Sequence, residues 1–229
     1  MSTPLTHGVL HAAIARHFVE HGTAPTIAQL SAQFALDRAA VSNALQALAD
    51  YHGVVLHPTS REIWAMHPFS AAPTAFWVES GGRGWWGNCA WCALGIVALL
   101  DADATITTTL GGESEQVVLR IQDGAISPAD HRVHFPIPMA RAWDNVTYTC
   151  STMLVFASDA AVDMWCARHA MPRGDVQSLA SVWPFAQAWY GRHLDPAWTK
   201  WTTDEARALF ARVGLTGPTW ALPTTDERF

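Results

Sequence analysis

The sequence predicts an α+β protein in which a winged-helix-like module of three helices precedes an antiparallel-sheet core with packed helices. Residues 1–70 hold three segments of helical periodicity followed by a hairpin pattern. Residues 104–121 hold two strand patterns joined by a glycine turn, and helical spacing returns after residue 158. We therefore expect two parts: an N-terminal module, residues 1–70, and a domain of residues 75–229 with a C-terminal helical extension from about residue 195.

The elements of the N-terminal module are predicted by residues that start and stop helices. The first helix ends at a glycine, which readily adopts the left-handed backbone of a helix end. The next two helices begin at residues whose side chains cap helix N-termini. The expected elements are a helix over residues 8–21 stopped by Gly22, helices opened by Thr26 and Asp37, and a hairpin of residues 54–56 and 63–65.

The charge of this module argues against DNA as a partner. Residues 1–70 contain three Arg, no Lys and four acidic residues, and the third helix offers only Arg38 for phosphate contact. Neutralisation of phosphates supplies most of the affinity of a DNA-binding protein. We therefore interpret the module as a structural cap or a dimerisation surface. Its seven histidines lack metal-ligand spacing, and we interpret them as surface or packing residues.

The elements of the core follow in order after a linker predicted over residues 67–74. Apolar and β-branched runs between glycine or proline turns predict strands, and capping residues before apolar-periodic segments predict helices. The expected strands cover residues 75–79, 104–110, 116–121, 132–135 and 145–156, and the fourth of them is expected to continue the same sheet. The expected helices cover the segment from Ser158 to His169, residues 176–192, and residues 204–213 capped by Thr203.

The composition restricts the class of protein. Half of the 229 residues are hydrophobic and only 15% are charged, so the chain can bury a sizeable core. The formal net charge of −6 argues against non-specific binding to nucleic acid or to an anionic membrane. No apolar run has the length of a membrane span, and the N-terminus lacks a secretory pattern. Four cysteines in such a chain favour reduced thiols in the cytoplasm over a disulfide scaffold.

The most informative stretch is a pair of cysteines at the start of an apolar segment. Residues 88–100 have the length and composition of a buried helix, with Asn88 as the expected N-cap. Cys89 then lies in the first turn, and Cys92 lies one turn later on the same face. A helix N-terminus lowers a thiol pKa, whereas apolar walls raise it. The pair is therefore either part of the core or a thiol site in a dry pocket.

Two segments together resemble organomercurial lyase, the alkylmercury lyase family. They are Asn88-Cys89-Ala90-Trp91 with Leu94-Gly95-Ile96, and Thr149-Cys150 with the later run Val155-Phe156-Ala157-Ser158. The resemblance covers about residues 75–195 and implies a winged-helix-like part before an α/β core of antiparallel strands. It also implies two thiolates that take the mercury of R–Hg⁺, and an aspartate that helps to deliver the proton that releases R–H.

The resemblance assigns expected roles to three cysteines. Cys89 matches the first cysteine of the family, at the helix start, and Cys150 matches the second, on the predicted strand. Cys92 occupies the position of the family's aspartate. The implied activity is cleavage of a carbon–mercury bond in a small organometallic substrate, with no required cofactor. Because thiolate is the softest protein ligand for Hg²⁺, we expect Cys89 and Cys150 to coordinate it, and Cys92 to be third ligand, proton carrier or both.

Two other functions fit the same residues. A protein that binds or senses mercury or copper would use Cys89, Cys92 and Cys150 as ligands without turnover. A thiol redox protein would use Cys89 and Cys92 as its pair, although such a pair does not need a third cysteine. Release of hydrocarbon from an organomercurial distinguishes the lyase from the binding protein. Cys166, on the helix that Ser158 opens, is assigned to packing.

Overall fold

The computed structural model describes residues 5–113 and 115–223, which form eight α-helices and eleven β-strands. The helices are α1 (His7–His21), α2 (Ile27–Phe34), α3 (Arg38–Asp50), α4 (Ala90–Leu100), α5 (Val146–Thr152), α6 (Asp159–His169), α7 (Leu179–Tyr190) and α8 (Thr203–Arg212). The strands are β1 (Val55–Leu56), β2 (Ile63–Met66), β3 (Phe69–Ser70), β4 (Phe76–Ser80), β5 (Arg83–Gly87), β6 (Ala104–Thr109), β7 (Gln116–Gln122), β8 (Ala125–Ser127), β9 (Arg132–Phe135), β10 (Val155–Phe156) and β11 (Asp175–Ser178). None of these helices is both long enough and apolar enough to cross a bilayer.

Two antiparallel sheets organise these elements. The larger sheet has eight strands in the order β1-β2-β3-β5-β4-β6-β7-β8, and the smaller has three in the order β10-β9-β11. The helix α4 contacts both the larger sheet and α7. Nine of its eleven residues are buried, as expected for a helix that is apolar on all sides. The mixture of helices and antiparallel sheets confirms the predicted α+β class.

The N-terminal helices begin and end where the sequence predicts. Thr26 accepts a hydrogen bond from the Gln29 amide, and Asp37 accepts one from the Ala40 amide, so both residues cap their helices. Gly22 ends α1 with a φ of 73°, a left-handed conformation that side chains with a β-carbon disfavour. The strands β1 and β2 then pair antiparallel as the predicted hairpin. The winged-helix-like arrangement of three helices and a hairpin is therefore present.

The linker predicted over residues 67–74 is wrong at Phe69 and Ser70. These two residues form β3, which pairs with β2 on one side and with β5 on the other. Pro68 is compatible with this strand because it precedes the strand and does not interrupt the hydrogen-bond ladder. One sheet thus joins the N-terminal hairpin to the core strands. The division into residues 1–70 and 75–229 stays a prediction.

The strand predicted over residues 145–156 is wrong for most of its length. Residues 146–152 form the helix α5, and only the last two residues of the segment form a strand, β10. Valine and threonine favour a strand, but this preference is weak and depends on the neighbours. Asn145 accepts a hydrogen bond from the Tyr148 amide and so caps a helix here. Cys150 consequently lies on a helix and not on a strand.

Three further details of the core differ from the prediction: the sheet of one strand, the start of one helix and the cap of another. Residues 132–135 form a strand as expected, but they belong to the smaller sheet and do not continue the larger one. Residues 176–178, predicted as the start of a helix over residues 176–192, belong to the strand β11. The helix α7 begins at Leu179, after its cap Ser178. The last helix is capped by Thr202, so Thr203 is its first residue and not its cap.

Candidate functional site

The sulfur of Cys89 lies at the N-terminus of α4. Cys89 is the N-cap of this helix, and its sulfur accepts a hydrogen bond from the Cys92 amide at 3.3 Å. The prediction that Asn88 caps the helix is therefore wrong, and Cys89 precedes the first turn. A helix N-terminus stabilises negative charge, so a thiolate is favoured at this position.

Asn88 instead joins two segments of the chain. Its side-chain amide donates hydrogen bonds to the carbonyl oxygens of Phe69 at 2.8 Å and Pro68 at 3.2 Å. These bonds hold the start of β3, and with it His67, against the start of α4. An asparagine side chain carries donors as well as the acceptor that caps a helix, and the sequence alone does not show which is used.

Cys150 reaches the same place from α5. The Ala90 amide donates to the Met153 carbonyl at 3.1 Å, which joins the start of α4 to the end of α5. Cys150 Sγ lies 3.4 Å from Nε2 of His67, and the residue is 6% exposed. The structure therefore brings Cys150 to the other predicted cysteines although it lies on a different kind of element.

Cys92 faces α7. Its Sγ lies 3.3 Å from the hydroxyl oxygen of Tyr190, and either group can be the donor. The two helices approach closely at Gly95, where an added β-carbon would lie 2.2 Å from Cδ2 of the Tyr190 ring. Because Gly95 has no side chain, the Tyr190 ring can pack against α4 at this point, and its hydroxyl group reaches Cys92.

The three sulfurs differ in charge. Burial alone would raise the pKa of Cys89, but hydrogen bonds from the Cys150 thiol, the Cys92 thiol and the Cys92 amide hold it well below its usual value. Burial, reinforced by the neighbouring Cys89, raises the pKa of Cys92 well above its usual value. The pKa of Cys150 is raised well above its usual value, first by its hydrogen bond to Cys89 and then by Cys92 and burial. Within this cluster, ionisation is therefore favoured at Cys89 over Cys92 and Cys150.

Two further polar groups border this centre. Burial lowers the pKa of His67 to about 4, although the charge of Cys89 opposes the shift, so the imidazole is neutral near neutral pH. Burial, and then the nearby sulfurs of Cys92 and Cys89, raise the pKa of Tyr190 well above its usual value, so the phenol keeps its proton. His67 was interpreted as a surface or packing residue, and the structure places it beside Cys150, which that interpretation did not anticipate. No local pattern marks this histidine, because its partner Cys150 is 83 residues away.

An apolar cavity of about 60 Å³ lies beside the sulfurs. Its remaining walls are mostly large apolar side chains, among them Trp91, Met139, Trp143, Met153 and Trp189. Within residues 5–113 and 115–223, no Asp or Glu lines it. A molecule that reaches the sulfurs therefore leaves bulk water and meets no carboxylate of the described residues.

The donor atoms of this centre are close enough to share one metal ion. The ligand atoms of His67, Cys92 and Cys150 lie within 4.8 Å of one another. Cys89 is not one of these three ligands, but its sulfur is next to the set, since it accepts the hydrogen bond of the Cys92 amide at 3.3 Å. The structure thus brings together all three predicted cysteines and adds an imidazole that sequence reasoning missed. Thiolate selects soft ions, and imidazole also suits copper and zinc.

Cys166 lies apart from this centre, on α6. Its Sγ is 3.6 Å from Nε2 of His134 and 3.7 Å from the carbonyl oxygen of Pro172. Burial raises its pKa, so the thiol stays protonated. Its surroundings are consistent with the predicted packing role.

Comparisons with known proteins point to one chemistry. The family model described as alkylmercury lyase, MerB, matches residues 69–191, just over half of the 229 residues. Among solved structures, the crystal structure of the mercury-bound form of MerB2 is similar, with a TM-score of 0.63 and 20% identity. That match covers 80% of this chain and 91% of the other, and at this identity it shows a shared fold. No protein of curated function matches the chain at a significant level.

Proposed function

Because the chain belongs to the alkylmercury lyase family, we propose that Cys89, Cys92 and Cys150 cleave the carbon–mercury bond of an organomercurial substrate. The observation that carries the assignment is the meeting of three buried sulfurs from two distant segments of the chain. Mercury is a soft metal, and thiolate is the protein ligand that suits it best. It enters as part of the substrate, and the steps below need no cofactor.

The first step is attack of the Cys89 thiolate on mercury. The thiolate and not the thiol is the nucleophile, and the lowered pKa of Cys89 favours its ionised form. A bond forms between mercury and the Cys89 sulfur while the ligand that accompanied R–Hg⁺ leaves with its electron pair. Cys92 and Cys150 remain protonated because their pKa values are raised, so the negative charge is concentrated on one sulfur.

The second step exchanges carbon for sulfur on the mercury. The Cys150 sulfur bonds to mercury as the carbon–mercury bond breaks, and the carbon keeps the electron pair of that bond. The proton displaced from the Cys150 thiol goes to this carbon, since metal coordination requires the thiol to be deprotonated. The products are R–H and a mercury ion held by Cys89 and Cys150. Charge and protons balance without an external acid or oxidant.

By the resemblance, Cys92 stands at the position of the family's aspartate, and we assign it as the proton carrier that relays the proton of Cys150 to carbon while Cys89 and Cys150 hold the product ion. Its protonated thiol lies between the other sulfurs and the Tyr190 hydroxyl, so a proton can pass along this group without reaching bulk water. A thiol has a pKa several units above that of a carboxyl group, so it transfers a proton less readily. We therefore expect this chain to act more slowly than a variant with a carboxylate at the same position.

The surroundings of the sulfurs fit an alkyl or aryl group on mercury. The adjacent cavity is largely apolar. Exclusion of water from it prevents solvent from taking part in the proton transfer to carbon. The mechanism also requires reduced thiols, which a cytoplasm maintains. Localisation in the cytoplasm therefore remains part of the proposal.

Release of hydrocarbon tests the function. Purified protein given phenylmercury chloride and excess thiol should release benzene. Cys89→Ala should lower kcat/KM by about 10³-fold or more, because it removes the nucleophile on which both steps depend. Cys166→Ala is the matched control and should keep wild-type activity. Full activity of Cys89→Ala would overturn the proposed mechanism.

Two substitutions separate the roles of Cys92. Cys92→Ser keeps the size of the side chain but removes the thiol, and Cys92→Asp introduces the family's carboxyl group. If Cys92 carries the proton, Cys92→Asp should release benzene at least as fast as the wild type, and Cys92→Ser should be slower. Equal rates for all three proteins would show that Cys92 is a bystander.

A soft-metal binding or sensing protein is the second candidate function. It is favoured by the three ligand atoms of His67, Cys92 and Cys150 within 4.8 Å of one another, a set that can hold an ion without bond cleavage. Such a protein would bind Hg²⁺ or Cu⁺ through the same cysteines. Stoichiometric mercury binding without release of benzene would support it against the lyase.

A further inference from the structure

A groove lies between α5 and residues of the strands β2, β3 and β4. It has a volume of about 290 Å³ and a largely apolar lining, and no Asp or Glu of the described residues borders it. Some lining residues are exposed to solvent and others are buried, so the groove runs from the surface into the protein. We call it the outer groove, and the lining residues that matter below are Trp64, Phe76, Asn88, Thr147, Cys150 and Ser151.

The outer groove reaches the cysteine centre at Cys150. Residues 147, 150 and 151 of α5 line the groove, whereas residues 146, 149 and 150 line the apolar cavity beside the sulfurs. With helical spacing these sets lie on neighbouring faces of α5, and Cys150 belongs to both. Asn88, the residue before Cys89, also lines the groove. A group bound in the outer groove is therefore next to Cys150 and need not extend into the apolar cavity.

The two spaces differ in the size of the group that they admit. The apolar cavity has a volume of about 60 Å³. A cavity of about 150 Å³ is known to accommodate a benzene ring, so the smaller space suits a methyl-sized group better than a ring. The outer groove, at about 290 Å³, has room for an aromatic ring beside Cys150.

Trp64 presents an aromatic ring at the exposed side of this groove. It is 42% exposed, whereas its neighbours on β2, Ile63 and Ala65, are buried. A single exposed apolar side chain is ordinary on a protein surface. This one, however, lines the same groove as Cys150, and Phe76 supplies a second, buried ring to the lining. Aromatic side chains attract other rings in stacked or edge-to-face arrangements, so this lining suits an aromatic ligand.

We propose that the outer groove binds the aromatic ring of an arylmercury substrate and that Trp64 is the residue that selects for the ring. This inference rests on the proposed lyase function and names the substrate class of the same site. The ring contacts Trp64, and the mercury attached to it meets Cys150 and the adjacent Cys89. Trp64 touches only the ring, so it determines specificity and takes no part in breaking the carbon–mercury bond. A methyl group is too small to reach Trp64 from mercury held by the sulfurs.

Phenylmercury and methylmercury test the role of Trp64, because only the first carries a ring. Their intrinsic reactivities differ, so the informative quantity is the change that a substitution causes with each substrate. Trp64→Ala should lower kcat/KM for phenylmercury about tenfold, through loss of one ring contact and its buried area, and should leave kcat/KM for methylmercury unchanged. Trp64→Phe keeps a ring at this position and should largely restore the value for phenylmercury.

The matched control is Met164→Ala. It also removes a large exposed apolar side chain, 64% exposed, but from a different cavity bordered by α6, and it should change neither substrate. Toluene supplies a measurement that needs neither mercury nor turnover. In saturation-transfer NMR, the wild type and Met164→Ala should give equal toluene signals, and Trp64→Ala should give a weaker signal. This difference reports the part of toluene binding that depends on Trp64.

The outcomes separate this inference from the proposed function. If phenylmercury is cleaved and Trp64→Ala affects both substrates equally or neither, the role of the groove is overturned and the lyase assignment stands. If neither substrate is cleaved but the toluene signal depends on Trp64, the lyase assignment fails and the groove remains a site for an aromatic ring. A toluene signal that is independent of Trp64 would overturn the groove with or without cleavage.

Discussion

Two cysteine–histidine pairs occur in this protein, and they are alike in local geometry. Cys150 Sγ lies 3.4 Å from Nε2 of His67, and Cys166 Sγ lies 3.6 Å from Nε2 of His134. Both thiols have raised pKa values, Cys150 chiefly through its hydrogen bond to Cys89 and Cys166 chiefly through burial. Distance to an imidazole therefore does not distinguish a reactive cysteine from a packed one.

The pairs differ in the groups around them. Cys150 lies near Cys89 and Cys92, which raise its pKa, and it borders the apolar cavity beside α4. Cys166 is instead close to the carbonyl oxygen of Pro172, in the segment after α6. The imidazole of His134 is hydrogen-bonded to the Arg173 carbonyl at 2.8 Å. A second sulfur able to hold negative charge, and not the neighbouring histidine, therefore distinguishes the Cys150 site from the surroundings of Cys166.

The largest expected effect is the contrast between Cys150→Ala and Cys166→Ala. The first substitution removes the sulfur that replaces carbon on mercury, so kcat/KM for benzene release should fall by about 10²- to 10⁴-fold. The second removes a packed thiol and should leave kcat/KM unchanged. Both proteins should be checked for folding by circular dichroism. Similar losses in the two variants would break the comparison.

A smaller effect is expected from the histidines. His67→Ala removes the neutral imidazole beside Cys150 and should lower kcat/KM or mercury affinity about 10- to 100-fold, as losses of groups that orient metal ligands do. His134→Ala should lower the melting temperature more than the activity, because this buried side chain contacts Phe156 and Trp165. Activity that is insensitive to His67→Ala would remove this histidine from the site.

The smallest signal is the ionisation of a single thiol. Because the pKa of Cys89 is lowered in the folded chain, its thiolate should persist near neutral pH and disappear as the pH falls through the lowered value. Ionisation of Cys89 then adds stability above the unfolded pKa, and this contribution is lost on acidification. Ultraviolet thiolate absorbance should show the band in the wild type and in Cys166→Ser. Its presence in Cys89→Ser would assign the charge to another sulfur.

The features that could be predicted from the sequence depend on residues close together in the chain. The apolar run after Cys92 indicated a buried helix, and capping residues such as Thr26 and Asp37 marked helix starts correctly. The segment 145–156 was mispredicted because its β-branched residues favour a strand, whereas Asn145 and the surrounding fold favour a helix. Asn88 was mispredicted because the sequence does not show whether an asparagine side chain caps the following helix or donates hydrogen bonds to a distant segment.

The α+β class and the buried helix α4 follow from the sequence alone, because periodicity and capping are properties of residue type and spacing; ligand softness led to the prediction that Cys89, Cys92 and Cys150 act on a soft metal. The tertiary structure was needed to show that His67 and Tyr190 border the sulfurs and that ionisation is favoured at Cys89. Those facts depend on contacts between residues 83 and 98 positions apart, which no local pattern records. Hydrogen bonds and burial act over a few ångströms, so the charge of each sulfur is fixed only when the fold has brought these side chains together.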